Sequence, residues 1–165
     1  MFKKIETKEL GNPFDMIGND WMLITAKDES KVNTMTASWG GMGHLWNKDV
    51  VYIFVRPGRY TYEFIEKSEE FTLTFFQEGY REQLTYLGKI SGRDENKIEK
   101  AGLSVVSEGN YPYFKEGETV VKCNKLYKQR LDKECFLDAS LDKFYKDDYH
   151  YMYIGEIVEV LRKEV

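Results

Sequence analysis

The chain carries only two cysteines, two histidines and three prolines in 165 residues, and each scarcity closes a route. Cys123 and Cys135 sit in no CxxC or ligand spacing, so no disulfide framework or zinc ribbon is expected, and a reducing cytosol keeps both as thiols. His44 and His150 form no HExxH or paired-histidine spacing, and no metal site is expected. Pro13, Pro57 and Pro112 are isolated, and no Ser, Gly or Pro tract marks a linker, so residues 1–165 read as one domain. An excess of basic charge is also missing. With a net charge of −4 and Lys and Arg scattered among Asp and Glu, no face is built to neutralise a phosphate backbone, which excludes nucleic acid. No long uncharged apolar run could span a bilayer, and the opening MFKKIETKEL turns acidic before any apolar core, so neither a membrane span nor a secretory leader is expected. These absences together predict a cytoplasmic protein.

Catalytic signatures are equally scarce. GGMG at 40–43 lacks the GxGxxG spacing and is not followed by a helical pattern, no Walker lysine follows it, and no GxSxG elbow exists for a serine nucleophile. The glycines of GGMG are expected to permit a tight turn after a strand.

What remains is aromatic and strand-like. Hydrophobic residues make up 42% of the chain and aromatic ones 15%, and a domain of this length buries roughly 70% of its unfolded surface. WMLITAKD (21–28), VVYIFVR (50–56), FTLTFF (71–76), ETVVKCNKLYKQRL (118–131) and HYMYIGEIVEVL (150–161) are rich in β-branched and aromatic residues. In FTLTFF the two-residue period turns Phe71, Leu73 and Phe75 one way and Thr72 and Thr74 the other. Short helical patterns lie at 59–68, 80–91 and 94–103, the last ending on Gly102. Long strands with a few short helices predict a mainly β fold, a closed antiparallel barrel with helices outside or over one end.

Three segments concentrate chemistry. NTMTASWGGMGHLW (33–46) places Asn33, Thr34, Thr36 and Ser38 along a strand that runs into the plane of Trp39. RPGRYTYEF (56–64) sets Arg56 and Arg59 beside a helix start at Tyr60, Thr61 and Tyr62, where free amides and bidentate guanidinium groups suit a phosphate dianion. The same residues also suit a plain strand-to-helix turn with solvated arginines. SGRDENK (91–97) repeats the pattern with Ser91, Arg93 and Lys97, although Asp94 or Ser91 can equally be an N-cap. His44 reads as a loop histidine, and His150, among Tyr149, Tyr151 and Tyr153, reads as buried against aromatics with a ligand role left open. A planar, polar-edged ring with a phosphate tail would use all three segments.

NTMTASWGG, RPGRYTYEFI, SGRDENKIEKAGL and DHYMYIGEI, in that order, resemble the flavin reductase-like, FMN-binding split-barrel family, which includes flavoredoxin-type proteins; the resemblance spans about residues 15–160. It implies a six-stranded antiparallel split barrel of Greek-key type that forms homodimers, with FMN in a groove near the dimer interface. By matching positions, Asn33, Thr34, Met35, Thr36, Ala37, Ser38 and Trp39 resemble the strand and turn facing the isoalloxazine. Arg56, Arg59, Tyr60 and Thr61 resemble the loop and helix start that hold the ribityl phosphate, with Ser91 and Lys97 reaching the same tail, and His150 resembles a catalytic histidine close to the flavin. GGMGHLW matches less tightly, so His44 and Trp46 carry less. The implied activity is flavoprotein oxidoreduction, either NAD(P)H-dependent flavin reduction or electron transfer with a redox protein. The alternative is a non-catalytic split barrel holding haem or F420, with His150 as an axial ligand.

Overall fold

The computed structural model describes residues 1–164. Ten strands are joined by short helices: β1 Phe2–Ile5, α1 Pro13–Asp15, β2 Met22–Lys27, β3 Val32–Ala37, β4 Gly40–Leu45, β5 Lys48–Val55, α2 Tyr60–Lys67, β6 Glu70–Phe75, α3 Arg81–Lys89, α4 Lys97–Lys100, β7 Val105–Glu108, β8 Tyr111–Phe114, β9 Thr119–Arg130 and β10 Tyr151–Lys163. Among the described residues, no helix is long and apolar enough to cross a membrane.

Eight strands make one antiparallel sheet in the order β3-β2-β6-β9-β10-β5-β4, with β1 added along β10, while β7 and β8 form a separate hairpin. Laid flat, the seven strands of that path would hold β3 and β4 roughly 29 Å apart at the usual inter-strand spacing. Only Ser38 and Trp39 separate the two strands in the chain, a reach of about 11 Å at most between Ala37 and Gly40. The sheet therefore curls until its two edges meet at this link. The result is a split barrel, open along the seam between β3 and β4. It carries more strands than the six expected and does not close: β10 is long enough to pair with β5 through Tyr151–Glu156 and with β1 through Val160–Lys163, and its pairing with β9 shifts register twice, between Ile154 and Gly155 and between Ile157 and Glu159.

The barrel interior is filled by Met22, Ile24, Met35, Val51, Ile53, Phe64, Phe71, Leu73 and Tyr153. Thr72 and Thr74, on the opposite face of β6, are fully buried as well, because β8 and α3 cover the outside of the sheet. Thr72 Oγ1 donates to the Pro112 carbonyl at 2.5 Å, and Leu23, Leu84, Leu87, Leu103 and Phe114 form a second apolar layer there. Truncating Leu87 in that layer to Ala would cost about 2–5 kcal/mol. This outer layer sets α3 against β3 and so positions the end of α3 beside the seam.

Two local expectations change. GGMG is not a turn but the body of β4, and the turn comes later, at Trp46 and Asn47, which take φ of 54° and 56° as a two-residue hairpin loop requires. Gly40 is needed for close approach instead, since a Cβ there would stand 2.7 Å from the Tyr52 carbonyl oxygen on β5. The expected helix 94–103 shrinks to α4, because residues 91–96 turn tightly with Asp94 N–H donating to the Ser91 carbonyl at 3.1 Å. Gly102 does end that helix, at φ 71°.

Candidate functional site

The seam leaves β3 as an edge strand. Its one partner among the described residues is β2, so alternate N–H and C=O groups of β3 face the opening unpaired. A hollow of about 180 Å³ lies along this edge, walled by Met35 to Trp39 on one side and by Phe54, Arg56, Arg59 and His150 on the other. Trp39 is 47% exposed at its rim. A second cavity of about 120 Å³ continues from it through Arg59, lined by Tyr60, Thr61, Ser91 and Lys97 and by the end of α3 at Gly88–Ile90.

The second cavity gathers several donors that the protein leaves unpaired. Helix α2 starts there with Arg59 as its N-cap and no side chain closing the cap, which leaves the Tyr60 and Thr61 amides without intrahelical acceptors. Among the described residues, Arg59 makes no ion pair and no side-chain hydrogen bond, and burial together with the charge of Arg56 pulls its guanidinium below the usual range. Lys97 is 3% exposed and caps α3 by donating to the carbonyls of Leu87 at 2.8 Å and Ile90 at 2.9 Å. An ammonium has three donors, so one remains. Burial, reinforced by Arg59, lowers the Lys97 pKa to about 8. The cavity is braced by Asn33, whose Nδ2 donates to Thr61 Oγ1 at 2.9 Å and so ties β3 to the start of α2. Gly92 must lack a side chain because a Cβ would strike the Asn33 carboxamide. Arg93 stacks over Tyr60 at 4.6 Å and pairs with Glu63, holding α2 from outside.

The first hollow, termed the ring hollow for the aromatic rings of Trp39, Phe54 and His150 in its walls, is shaped differently. His150, 7% exposed, lies edge-on to Trp39, Tyr145 and Phe54 at centroid distances of 5.6, 5.3 and 6.2 Å. Its Nδ1 shares a 2.7 Å hydrogen bond with the Tyr145 hydroxyl, and Nε2 has no partner among the described residues. Burial, with a contribution from Arg56, lowers its pKa to about 4, so the ring is neutral at pH 7.

The structure thus gathers most of the sequence-selected residues around two joined cavities and separates a few. Met35, Thr36, Ala37, Ser38, Trp39 and His150 line the ring hollow; Arg59 joins both; Tyr60, Thr61, Ser91 and Lys97 line the second cavity, termed the tail cavity because it trails from the first, with Asn33 as its brace. Thr34 lines neither: fully buried between β2 and β3, its hydroxyl lies 2.9 Å from that of Thr25 and donates to the Ile24 carbonyl at 3.0 Å. Arg56, read as a phosphate anchor, lines the ring hollow and is engaged by the chain itself, Nη1 donating to Asp148 at 2.7 Å and Nη2 to the Phe144 carbonyl at 2.9 Å. Thr36 contributes its backbone, since its hydroxyl donates to the Leu84 carbonyl at 2.5 Å. Sequence reasoning missed Phe54 and Tyr145. The alternation of VVYIFVR puts Phe54 on the face opposite Ile53 and Val55, and that was the available signal. His44, bonded to Asp49 at 3.1 Å, and Trp46 lie outside the two cavities.

Fold and site together define a split barrel whose open seam joins an aromatic hollow to a cationic one. Residues 15–165 match the model of the flavin reductase like domain, and the chain belongs to that family. Among solved structures, it is similar to the flavoredoxin of Desulfovibrio vulgaris (Miyazaki F), at 23% identity and a TM-score of 0.71 over 98% of this chain and 76% of that one. It is also similar to the flavoredoxin of Methanosarcina acetivorans, at 20% identity and a TM-score of 0.71 over 88% and 69%. An FMN-binding domain of a flavin reductases-like enzyme from Shewanella baltica OS155 gives 15% identity and a TM-score of 0.72 over 98% and 77%. No curated protein matches the chain.

Proposed function

We propose that the chain is an FMN-dependent oxidoreductase, passing electrons from NAD(P)H to flavin or between the flavin and a redox partner protein. The observation that carries this reading is Arg59, a half-buried guanidinium with no protein carboxylate, placed where the aromatic hollow meets a cavity of uncapped amides. An anion balances that charge, and a phosphate tethered to a flat ring occupies both cavities at once.

In this reading Arg59, the amides of Tyr60 and Thr61, the Ser91 hydroxyl and the third proton of Lys97 hold the phosphate of FMN. The unpaired edge of β3 from Met35 to Ser38 offers N–H donors to the polar rim of the isoalloxazine, where they favour the reduced, anionic form. Trp39 and the neutral His150 flank the ring, and His150 offers Nε2 as a hydrogen-bonding group that carries no charge at pH 7. FMN, when bound, supplies the two-electron and one-electron redox chemistry.

The partner is read as a second copy of the chain. An apolar hollow of about 400 Å³ runs from Phe14 and Ile17 to Trp39 and the exposed edge of β4, and Phe14 at its margin is 87% exposed. A homodimer would cover this patch, and light scattering would return twice the 19.5 kDa chain mass.

The protein as purified, or after incubation with FMN, should show flavin absorption in the near-ultraviolet and blue. A colourless protein that FMN cannot reconstitute removes the reading, and a Soret band in its place transfers the site to haem. Anaerobic bleaching by NADH or NADPH selects the reductase; bleaching only by a reduced protein donor selects the carrier.

A further inference from the structure

Strands β9 and β10 are antiparallel neighbours that a turn of about two residues could join, yet the chain between them runs from Leu131 to His150. A connection of more than about 15 residues without strands of its own is usually functional or disordered. This one is ordered into short 3-10 helical stretches at Lys133–Cys135 and Ala139–Phe144 but has no core: from Leu131 to Asp148 no side chain is buried. A segment with so little burial opens locally at small cost, so whatever fixes its position rests on a few directed contacts.

Those contacts converge on the ring hollow. Arg56, on the wall of the hollow, donates to the Asp148 carboxylate at 2.7 Å and to the Phe144 carbonyl at 2.9 Å, pinching together two points of the segment. Asp148 also accepts the Lys146 amide at 2.8 Å, which closes the turn through Asp147 at φ 64°. The pinch lays Tyr145 against the Arg56 guanidinium at 4.9 Å and its hydroxyl on His150 Nδ1, and it lays Phe144 edge-on to Trp39 at 5.4 Å. The Arg56–Asp148 pair thus fastens the segment to one wall of the hollow, while Phe144 reaches Trp39 on the other.

We infer that residues 131–149 form a strap over the ring hollow and that Asp148 is its positioning residue, pairing with Arg56 to hold the strap closed and, through Tyr145, to fix the orientation of His150. The inference rests on the flavin reading for its consequence, since the closed strap is what retards entry and exit of the ring. Asp148 touches neither cavity itself and acts only through Arg56 and the strap.

The strap offers its own reporter, because Lys133, Lys143 and Lys146 are exposed within it and trypsin can cut there when it lifts. In Asp148→Asn the ligand-free protein should be cut at those lysines about fivefold faster than wild type, the factor that a partly exposed ion pair supports. Riboflavin, which lacks the phosphate and so reports on the ring hollow alone, should leave about fivefold faster in stopped-flow fluorescence. Asp148→Glu should restore both rates. Asp138→Asn, which removes a strap carboxylate bonded only to Ser140, should change neither. Equal cutting in Asp148→Asn and wild type overturns the latch while leaving flavin binding standing. Faster cutting with unchanged riboflavin release overturns the gate. A wild type that binds neither FMN nor riboflavin overturns the proposed function and the gate with it, and the cutting rates then judge the latch by themselves.

Discussion

The tail cavity and the ring hollow meet at Arg59 but are built from opposite materials. The tail cavity is assembled from helix ends locked by buried groups, Lys97 capping α3 and Asn33 bracing α2, so the Lys97 ammonium and the amides of Tyr60 and Thr61 are held in place before any ligand arrives. The ring hollow is a sheet edge walled by Trp39, Phe54 and His150, with the coreless segment after β9 fastened to its rim through Arg56, Trp39 and His150. Rigid donors favour affinity because no ordering is needed on binding, whereas a movable wall lets a flat ring enter and lets a second reactant reach its face. Under the proposed function, that difference gives grip to one region and access to the other.

Arg59→Ala tests that division most severely. It should weaken FMN by about 1.5–3 kcal/mol, the usual contribution of a hydrogen bond to a charged group, and leave riboflavin unchanged in a fluorescence-quenching titration. Equal loss for both ligands would erase the distinction between the cavities. Asn33→Ala comes next: losing the brace on Thr61 should lower stability by about 1 kcal/mol in urea and loosen FMN more than riboflavin.

A pH titration sharpens the comparison further. Lys97 has a pKa of about 8, below its free value of 10.5, so raising the pH from 7 to 9 removes charge from the tail cavity. FMN affinity should fall over that window while riboflavin affinity stays level. His150 gives the opposite limb. Its pKa falls from 6.5 to about 4 on folding, so between these values the unfolded chain binds more protons and stability decreases as the pH drops through 6.5 toward 4. A His150→Asn variant should flatten that acid limb of the thermal midpoint. The smallest effect belongs to Leu137→Ser in the strap: with the side chain 102% exposed, stability should move by less than about 0.5 kcal/mol.

The sequence disclosed the strands of the barrel well, because β-branched runs such as VVYIFVR and FTLTFF carry their own period. It was silent on β1, which is short and exposed and gains its pairing from β10 at the far end of the chain, and on the β7–β8 hairpin, whose four-residue strands stand outside the main sheet. GGMG misled because glycine signals freedom, while here it answers the crowding of β4 against Tyr52. At the site, Arg59, Tyr60, Thr61 and Lys97 were readable as cations and amides near helix starts. The division of labour between Arg56 and Arg59 was not: two arginines three positions apart look alike until Asp148, far along the chain, engages one of them. Thr34 was equally opaque, since alternation tells which residues share a face but not which face meets the opening.

The two-residue link of Ser38 and Trp39 has an evolutionary corollary. Because the same pair sets the girth of the barrel and forms part of the wall of the hollow, lengthening it would part the sheet edges and displace Trp39 in a single event. Diversification among relatives should therefore accumulate in the long excursion after β9, which can grow or shrink without altering the circumference.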